Sequence, residues 1–511
     1  MEVSSTNLEE NTKNVDIIKG DPKKAIRKLS LPIMISMLLL MVYNLIDTIW
    51  VSGLGEKQLA TMGFIIPLSL IFTGIIGGVS SSTNSFLARA IGAERKDVAN
   101  NAALHSIIIT IILSIVIPLI AIPLLPNIIT LIGGAATLEY SLPYATIMFI
   151  FMIIIVLPTT IIAILRSEGD VKRATYLIAI SAIVDMILDP IMIYILKMGI
   201  VGAIYSTILS EAIVLIVTIY WIWIKKNTYL DMKFKYFKPK KFITIEIFKV
   251  AIPSALENLI MSFFLIVIAN MLIIVSSVTQ VAIATVAINL IAICCIPLLG
   301  LSNALLTVFG AAYGARNYEK MNTSFFYTIT LGFIISIIIG VIIFIFAPQI
   351  TMIFTYTQNV SNLVPQITET IRILVFYMIA MSFGIAGSFI FISAGKGLVS
   401  LILTLIQSIL CEIIFAYILG FLLGMGYHGI YWGVVLGCFV GSTISFIFAK
   451  FFLKKCKIEF KSQRSSKYCK KNKNKKKEFN YILSNRILAH FKASSDFDSK
   501  ILFWSKEPSF L

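Results

Sequence analysis

Residues 92–100 (GAERKDVAN) recur in altered form as residues 314–322 (GARNYEKMN). Leu31-Pro32 likewise recurs as Ile252-Pro253, and residues 199–203 (GIVGA) recur as 426–430 (GYHGI). These matches keep the same order along the chain, at a spacing of 221 to 227 residues. Repeats of this kind indicate a duplicated domain, because a shared unit is copied with its internal order intact.

The composition of the chain is that of a membrane protein. Hydrophobic residues make up 58% and charged residues 14% of the 511-residue chain, and the mean hydropathy is +0.92. This excludes a soluble enzyme and a disordered chain, and six cysteines are too sparse for a disulfide framework. About twelve apolar stretches have the length of roughly 20 residues that crosses a bilayer. The sequence therefore predicts an all-α polytopic membrane protein with twelve transmembrane helices.

Basic residues lie mainly in one set of the connections between these stretches. The basic set contains Arg89, Arg95, Lys96, Arg166, Lys172, Arg173, seven lysines between residues 225 and 241, Arg316, Lys320 and Lys396. The alternate set contains only Lys57, Lys197 and Arg372. Because Lys and Arg accumulate in cytoplasmic loops, this places both termini in the cytoplasm. Each half has six spans, so the two halves enter the membrane from the same face and form parallel repeats.

These boundaries predict five regions. A cytoplasmic N-terminal segment (1–29) precedes a first lobe with spans one to six (30–224), and a basic cytoplasmic linker (225–249) leads to a second lobe with spans seven to twelve (250–453). The tail 454–511 carries 16 Lys or Arg against 5 Asp or Glu. We expect this tail to be disordered and held near anionic lipid headgroups. No nucleic-acid motif is present, so nucleic acid is not an expected partner.

Several motifs in this order resemble one known family. Residues 43–48 (YNLIDT) lie in the first span and residues 185–190 (DMILDP) in the fifth. Gly-Ala turns follow the second and eighth spans, and Gly-x-x-Gly opens the sixth and twelfth. Together they resemble the multidrug and toxic compound extrusion (MATE) family over about residues 25–453. The resemblance implies twelve helices in two six-helix lobes, with the V-shaped architecture of an antiporter.

Acidic residues within the predicted spans are the main candidates for function. They are Asp47, Asp185, Asp189, Glu211, Glu257 and Glu412. No Lys or Arg is predicted at mid-membrane to neutralise them, so each must take up a proton or bind a cation. Both are what a cation-coupled antiporter requires of its coupling site. The alternative for Asp47 and Asp189 is a protonated hydrogen bond between helices.

The resemblance sharpens this expectation to a DinF-like branch of the family. In that branch an Asp in span one, an Asp before Pro in span five and a Thr in span six belong to a cation site, and Asp47, Asp189 and Thr207 match those positions. Asp185 stands where the branch usually has Asn. Further candidate positions for an ion or substrate are Asn44, Glu211, Glu257 and Glu412. No firm metal site is predicted, although Na⁺ at Asp47 and Asp189 remains an alternative to H⁺.

The predicted function is secondary active efflux from the cell membrane by alternating access. A phosphate-binding Gly-x-x-x-x-Gly-Lys-Ser/Thr loop is missing from the sequence, so the chain is not expected to be an ATP-driven pump. We also expect neither an enzyme nor a bound cofactor. We expect a monomer that exchanges H⁺ or Na⁺ for organic, cationic and amphipathic compounds. Two alternatives are less favoured. A flippase for a lipid-linked precursor would need basic residues inside the membrane, and none is predicted there. An integral-membrane transferase would need acid-rich external loops, whereas the predicted external loops are short and poor in acids.

Overall fold

Twelve long helices build the part of the chain that the computed structural model describes, namely residues 14–131, 134–225, 228–233, 235, 237–355 and 363–493. The helices are α1 (Pro22–Ser52), α2 (Glu56–Gly92), α3 (Lys96–Leu131), α4 (Leu138–Ile150 and Met152–Ser167), α5 (Val171–Ile195), α6 (Ile200–Ile224), α7 (Lys241–Val275), α8 (Val278–Gly314), α9 (Tyr318–Thr355), α10 (Val364–Ser393), α11 (Gly397–Leu422) and α12 (Gly426–Ala493).

The helices have the length and composition of membrane spans. Ten of them qualify singly, and the two segments of α4, bent by 53°, form an eleventh span. The 37-residue α2 completes the twelve. No strand occurs among the described residues. The predicted all-α, twelve-span fold class is confirmed.

Some helices extend beyond the apolar stretches that predicted them. α1 begins at Pro22, where the side chain of Asp21 accepts a hydrogen bond from the backbone N–H of Lys23 at 3.2 Å, and not near Ser30. α7 begins at Lys241 within the predicted linker. Lys and Arg are good helix formers, so a helix continues into the polar boundary after its apolar stretch has ended. Apolar length therefore marks the bilayer core and not the helix end.

The C-terminal tail differs from the expected disordered segment. α12 continues beyond the predicted end of the second lobe as far as Ala493, and residues 494–511 of the predicted tail lie outside the described residues. Residues 454–493 contain neither Gly nor Pro, so nothing in their sequence ends a helix. A high density of lysines disfavours a packed core, but it leaves helical hydrogen bonding intact. The predicted lipid contact of the tail remains a prediction.

The internal repeat is visible in the backbone of the two Gly-Ala turns. In the first turn the N–H of Arg95 donates to the carbonyl of Ala90 at 3.0 Å, and in the second the N–H of Asn317 donates to the carbonyl of Ala312 at 2.9 Å. Glu94 and Arg316 occupy equivalent places and have φ of 59° and 54°. A left-handed conformation is uncommon for a residue with a side chain, so its recurrence reflects duplicated structure.

The two halves meet backbone to backbone beside these turns, at a region we call the basic end. A Cβ atom at Gly92 would overlap the backbone of Ala311, and a Cβ atom at Gly314 would overlap the backbone of Arg89. These two contacts are reciprocal under the repeat, since Arg89 and Ala311 are equivalent positions just as the two glycines are. The halves are therefore related by an approximate two-fold axis at this contact.

Polar contacts reinforce this junction. Thr307 of α8 donates a hydrogen bond to the Oδ1 atom of Asn84 in α2 at 3.1 Å. The Arg89 guanidinium donates to the carbonyl of Ala394 at 3.3 Å and lies 3.7 Å from a carboxylate oxygen of Glu246. An Arg buried between two helical bundles needs such partners, because an uncompensated buried charge is costly. The basic end is thus closed by both backbone packing and charge pairing.

The N-terminal segment 14–19 covers the same junction. Its Val15 and Ile18 side chains are buried, each 3% exposed. Lys19 forms an ion pair with Glu94 of the first half at 3.3 Å, and its backbone carbonyl accepts a hydrogen bond from Lys320 of the second half. This segment therefore bridges the two halves.

The linker between the halves is held against the first half by buried polar side chains. The Asn101 amide pairs with both the N–H and the carbonyl of Lys238, at 3.0 and 2.9 Å. The Nε2 atom of His105 accepts the N–H of Lys240 at 3.1 Å, so Nδ1 carries the proton and faces the carbonyl of Asn101 at 2.8 Å. Side chains of the first half thus satisfy backbone groups of the linker.

Glu168, in the turn between α4 and α5, makes the same kind of contact. Its carboxylate oxygens accept the backbone N–H groups of Tyr229 and Leu230 at 3.1 and 3.0 Å. The side chain lies outside the membrane spans and is 2% exposed. Burial raises the pKa of Glu168 to about 8, although the two N–H donors oppose that rise.

Closure of the basic end can be tested at two adjacent glycines of α2. A Cβ atom at Gly78 would overlap the carbonyl oxygen of Ala251 in the second half, whereas one at Gly77 would have no atom within 4 Å. We expect Gly78→Ala to destabilise the closed arrangement by about 1–3 kcal/mol, because the backbones must separate. We expect Gly77→Ala to be neutral or slightly stabilising. The measurements are thermal melting in detergent and disulfide formation in an Asn84→Cys, Thr307→Cys pair; equal behaviour of the two variants would contradict the packing described.

The buried Glu168 predicts a pH-dependent stability. Its raised pKa means that the native state binds more protons than the unfolded state between about pH 4.5 and pH 8, so its contribution to stability falls as the pH rises through that window. We expect the Tm of the wild type to drop more between pH 5.5 and 9 than the Tm of Glu168→Gln, which cannot ionise. The exposed Glu139→Gln is the control and should follow the wild type. Parallel curves for wild type and Glu168→Gln would refute the prediction.

Candidate functional site

Three helices of the first half are fastened together where the candidate acids lie. Near the basic end, Thr175 of α5 donates to the carbonyl of Pro32 in α1 at 2.9 Å. At the opposite end, the Tyr194 hydroxyl donates to the carbonyl of Trp50, and the two rings pack edge to face at 6.1 Å. α1 and α5 are therefore joined at both ends, and the acids lie between these contacts.

The end of α5 also lies very close to the beginning of α6. A Cβ atom at Gly202 would lie 2.8 Å from the carbonyl oxygen of Met192, so only glycine permits this approach. Pro190 has no N–H, and the helix continues past it through one wide turn, Ile191–Ile195. This local geometry brings the acids of α5 next to the hydroxyl groups of α6.

Asp185 and Asp189 of α5 are both buried, each 1% exposed. Ser206 of α6 donates a hydrogen bond to Oδ1 of Asp189. Thr207 lies 3.4 Å from Oδ2 of Asp185, and the Tyr43 hydroxyl of α1 lies 3.5 Å from the same Thr207 oxygen. A chain of hydroxyl and carboxylate groups therefore runs from α1 through α6 to α5.

Asp47 of α1 completes this group, which we call the acidic cluster: Asp47, Asp185 and Asp189 with Tyr43, Ser206 and Thr207. The Asp47 side chain is half-buried and interacts electrostatically with Asp189 and Asp185. The structure thus brings the four predicted coupling residues, three aspartates and Thr207, into one site. Their role in ion coupling remains a prediction.

The cluster has spare acceptor capacity. Oδ1 of Asp47, Oδ1 of Asp185 and Oδ2 of Asp189 are buried and have no hydrogen-bond partner among the described residues. Among the described residues, none of the three aspartates forms an ion pair with Lys or Arg. Unpaired carboxylate oxygens are costly in a low dielectric, so they call for a proton or a cation.

The cluster does not have the geometry of a metal site built from three or more Asp, Glu, His or Cys ligands. Among the described residues, no three such side chains come together in a geometry that could hold a metal ion. A monovalent cation can instead be held by two carboxylates with hydroxyl or carbonyl oxygens, and Ser206 and Thr207 supply hydroxyl oxygens here. The donor set is therefore composed of oxygen atoms only and fits H⁺ or Na⁺.

Two of the further candidates in the first half lie at the edge of the cluster or away from it. Glu211 accepts a hydrogen bond from Ser181 at 2.7 Å and interacts electrostatically with Asp185. Asn44 is exposed, and its amide donates to the carbonyl of Leu40 in its own helix at 2.8 Å. Glu211 can extend the cluster along α6, whereas the Asn44 amide is engaged with its own backbone.

Glu257 and Glu412 lie separately in the second half. Glu257 of α7 is beside Ser400 of α11, and its Oε1 atom has no partner among the described residues. Glu412 is 0% exposed; its Oε1 atom accepts the amide of Gln407 at 3.1 Å, and Oε2 lacks a partner in the described structure. The structure does not bring either acid into the acidic cluster.

Sequence reasoning missed three members of the site. Ser206 is adjacent to Thr207, and only the rotation of α6 decides which hydroxyl faces Asp189. Tyr43 belongs to a motif that the sequence did show, but its hydroxyl contact with Thr207 joins residues 164 positions apart. Tyr144 of α4 is close enough to interact with all three aspartates. No local motif marks it, because its proximity to the aspartates joins residues that are far apart in the sequence.

Comparison with known proteins agrees with a chain of two related halves. The family model described as MatE matches residues 32–191 and 253–418, one block in each half. The multidrug export protein MepA of Staphylococcus aureus (strain bovine RF122 / ET3-1) is 26% identical over 243 residues, which are 47% of this chain and 53% of that protein. The alignment thus spans about half the length of this curated relative.

Solved structures match over a greater length. A crystal structure of MATE in complex with MaL6 is 34% identical, with a TM-score of 0.85, over 87% of this chain and 99% of that one. An outward-facing conformation of a multidrug resistance MATE family transporter has the same identity and coverage, with a TM-score of 0.84. These relatives are transporters and not enzymes, as predicted here. The chain is a multi-pass membrane protein that belongs to the MATE family.

Proposed function

We propose that this protein is a secondary active efflux transporter that exchanges H⁺ or Na⁺ for organic, cationic and amphipathic compounds by alternating access. The observation that carries this proposal is the acidic cluster, in which three aspartates each have a buried oxygen without a partner. A proton or a cation is the group that these oxygens lack. Asp47, Asp185, Asp189 and Thr207 are the proposed coupling residues. Asp47, Asp189 and Thr207 match positions of the DinF-like branch, whereas Asp185 stands where that branch usually has Asn.

Coupling follows from competition for the same negative charges. When the cluster is ionised, it attracts a cationic compound; when it takes up H⁺ or Na⁺, the attraction is lost and the compound is released. A ligand shifts a conformational equilibrium only by its difference in affinity between the two states. The ion therefore drives transport if it binds more tightly to the state in which the compound leaves.

The closed basic end supports the direction of this exchange. The basic connections and both termini are proposed to be cytoplasmic in the cell membrane, because Lys and Arg are enriched there. With the halves joined at that end by Gly92, Gly314 and the Arg89 contacts, access to the cluster is from the opposite side. The arrangement corresponds to the state that releases substrate outside and accepts the ion.

Proteoliposomes test the proposal directly. We expect efflux of the fluorescent cation ethidium under an imposed H⁺ or Na⁺ gradient, and the effective gradient identifies the coupling ion. Asp47→Asn and Asp189→Asn should each reduce gradient-driven efflux to the level of empty vesicles, because an amide neither takes up a proton nor supplies the negative charge that holds a cation. Glu139→Gln, which removes an exposed acid outside the cluster, is the control and should retain flux.

Two results would count against this proposal. Wild-type protein that moves no dye under either gradient would exclude antiport of this substrate class. Flux that is unchanged in both aspartate variants would place ion coupling outside the acidic cluster.

Ser206 allows a test of a single contact in the acidic cluster. Ser206 donates a hydrogen bond to Asp189, whereas Ser210, one turn further along α6, does not. We expect Ser206→Ala to change apparent ion affinity about tenfold, since hydrogen bonds to charged groups contribute about 1.5–3 kcal/mol. The affinity for H⁺ should rise, because the lost hydrogen bond stabilised the ionised carboxylate, whereas the affinity for Na⁺ should fall, because a ligand oxygen is lost. Ser210 is also buried but donates to the carbonyl of Thr207 at 2.9 Å, so Ser210→Ala should behave as wild type. The measurement is initial efflux rate against the concentration of the coupling ion; an equal response of both variants would contradict the assigned contact.

A further inference from the structure

The second half contains a cavity of about 200 Å³ enclosed by α7, α8, α10 and α12. Its walls consist of apolar and aromatic side chains together with one cysteine, and no carboxylate, amide or basic group of the described residues lines it. The acids Glu257 and Glu412 of this half are not among the lining residues. The cavity is thus chemically opposite to the acidic cluster in the first half.

The cavity has a buried floor and an exposed rim. Phe264, Cys295 and Tyr431 form part of the floor and are between 2% and 6% exposed. Met261 and Leu265 of α7 form part of the rim and are 37% and 36% exposed. An apolar molecule can therefore enter from the surface and be covered by the floor.

The rim lies on the helix faces that point toward the first half. On α7, Leu265 lies two turns beyond Asn258, whose side chain packs against Gly74 of α2. On α8, Gly300 packs against Met34 of α1. Ala292 lies about two turns before this contact on the same helix. Ala292 and Leu265 are exposed, so these faces separate from the first half at this level. The cavity opens to the space between the halves.

We propose that this cavity is a binding site for a neutral aromatic group of about two fused rings. An apolar cavity of 150 Å³ in another protein stays dry and binds benzene, so a cavity of about 200 Å³ has room for a larger ring system. The rings of Phe264, Tyr377 and Tyr431 and the sulfur atoms of Met381 and Cys295 are at its walls. Aromatic and sulfur groups favour ring contacts beyond the gain from burial alone.

Other occupants fit the cavity less well. A water molecule needs two to four polar partners, which these walls do not offer, and the Tyr431 hydroxyl is directed to Gln280 at 3.4 Å. A cation would lose its hydration without a carboxylate in contact. A saturated acyl chain is as apolar as the cavity requires, but it has no ring that could interact with the quadrupoles of the aromatic side chains. The inference does not depend on ion coupling at the acidic cluster.

Photolabelling with benzophenone, a neutral two-ring ketone, tests this site in the full-length protein in lipid nanodiscs. Its excited carbonyl reacts preferentially with methionine side chains, and Met261 and Met381 line the cavity. We expect mass spectrometry to show saturable labelling of these two methionines, reduced at least fivefold by excess naphthalene.

Two alanines of α8 supply a matched pair of variants. Ala292 lines the cavity and Ala282 does not, and both are exposed. Ala292→Phe should fill the opening and reduce labelling of Met261 and Met381 at least fivefold, while Ala282→Phe should leave it unchanged. Labelling that is unsaturable, or that is equal in the two variants, would overturn the proposal.

Two further measurements need no variant of the cavity. Naphthalene should slow modification of Cys295 by methyl methanethiosulfonate but not that of the adjacent Cys294, which is not a lining residue; equal protection of both would contradict the site. Dodecane competes as an acyl chain would. If dodecane displaces benzophenone as well as naphthalene does, the cavity holds lipid chains and the aromatic assignment is wrong.

Discussion

The contact of two glycines with the backbone of the opposite half controls how this molecule is arranged. Gly92 and Gly314 approach Ala311 and Arg89 so closely that any side chain would overlap the opposite chain. Because this contact is reciprocal, a single local sequence, copied once, closes the basic end. The helix faces that meet there separate further along α7 and α8, and this is why the second half presents an open cavity. The opening of this cavity is thus a consequence of backbone packing at the other end.

Electrostatics and apolar packing are divided between the two halves. The first half gathers Asp47, Asp185 and Asp189 without a basic partner among the described residues, whereas the second half contains a cavity lined by apolar and aromatic side chains. The two sites need different walls, because an ionised carboxylate is destabilised in apolar surroundings. The compounds proposed as substrates have both a charged and an apolar part. We propose that two sites of different chemistry suit such compounds.

The order of the polar contacts outside the spans points to a structural role for the connections. Glu168, Asn101 and His105 satisfy backbone groups of the linker, and Lys19 joins both halves through Glu94 and Lys320. The contacts to the linker join side chains of the first half to linker backbone groups, whereas Lys19 and Glu94 form an ion pair between side chains. Leu230 and Met232 of the linker are also buried in a hydrophobic cluster with residues of the first half. Polar and apolar contacts together therefore order the linker against the half that it follows.

The sequence by itself determined the twelve spans, the duplication and the acids that need compensation, because apolar length, repeated order and the cost of buried charge are local or compositional properties. It placed helix ends less well, at Pro22 and Lys241, since helices outlast their apolar cores. Only the tertiary structure decided that Ser206 faces Asp189, that Tyr144 lies beside the cluster and that a cavity opens near Ala292. These features depend on helix rotation and on contacts between distant residues, and apolar helices carry no periodic signal for either.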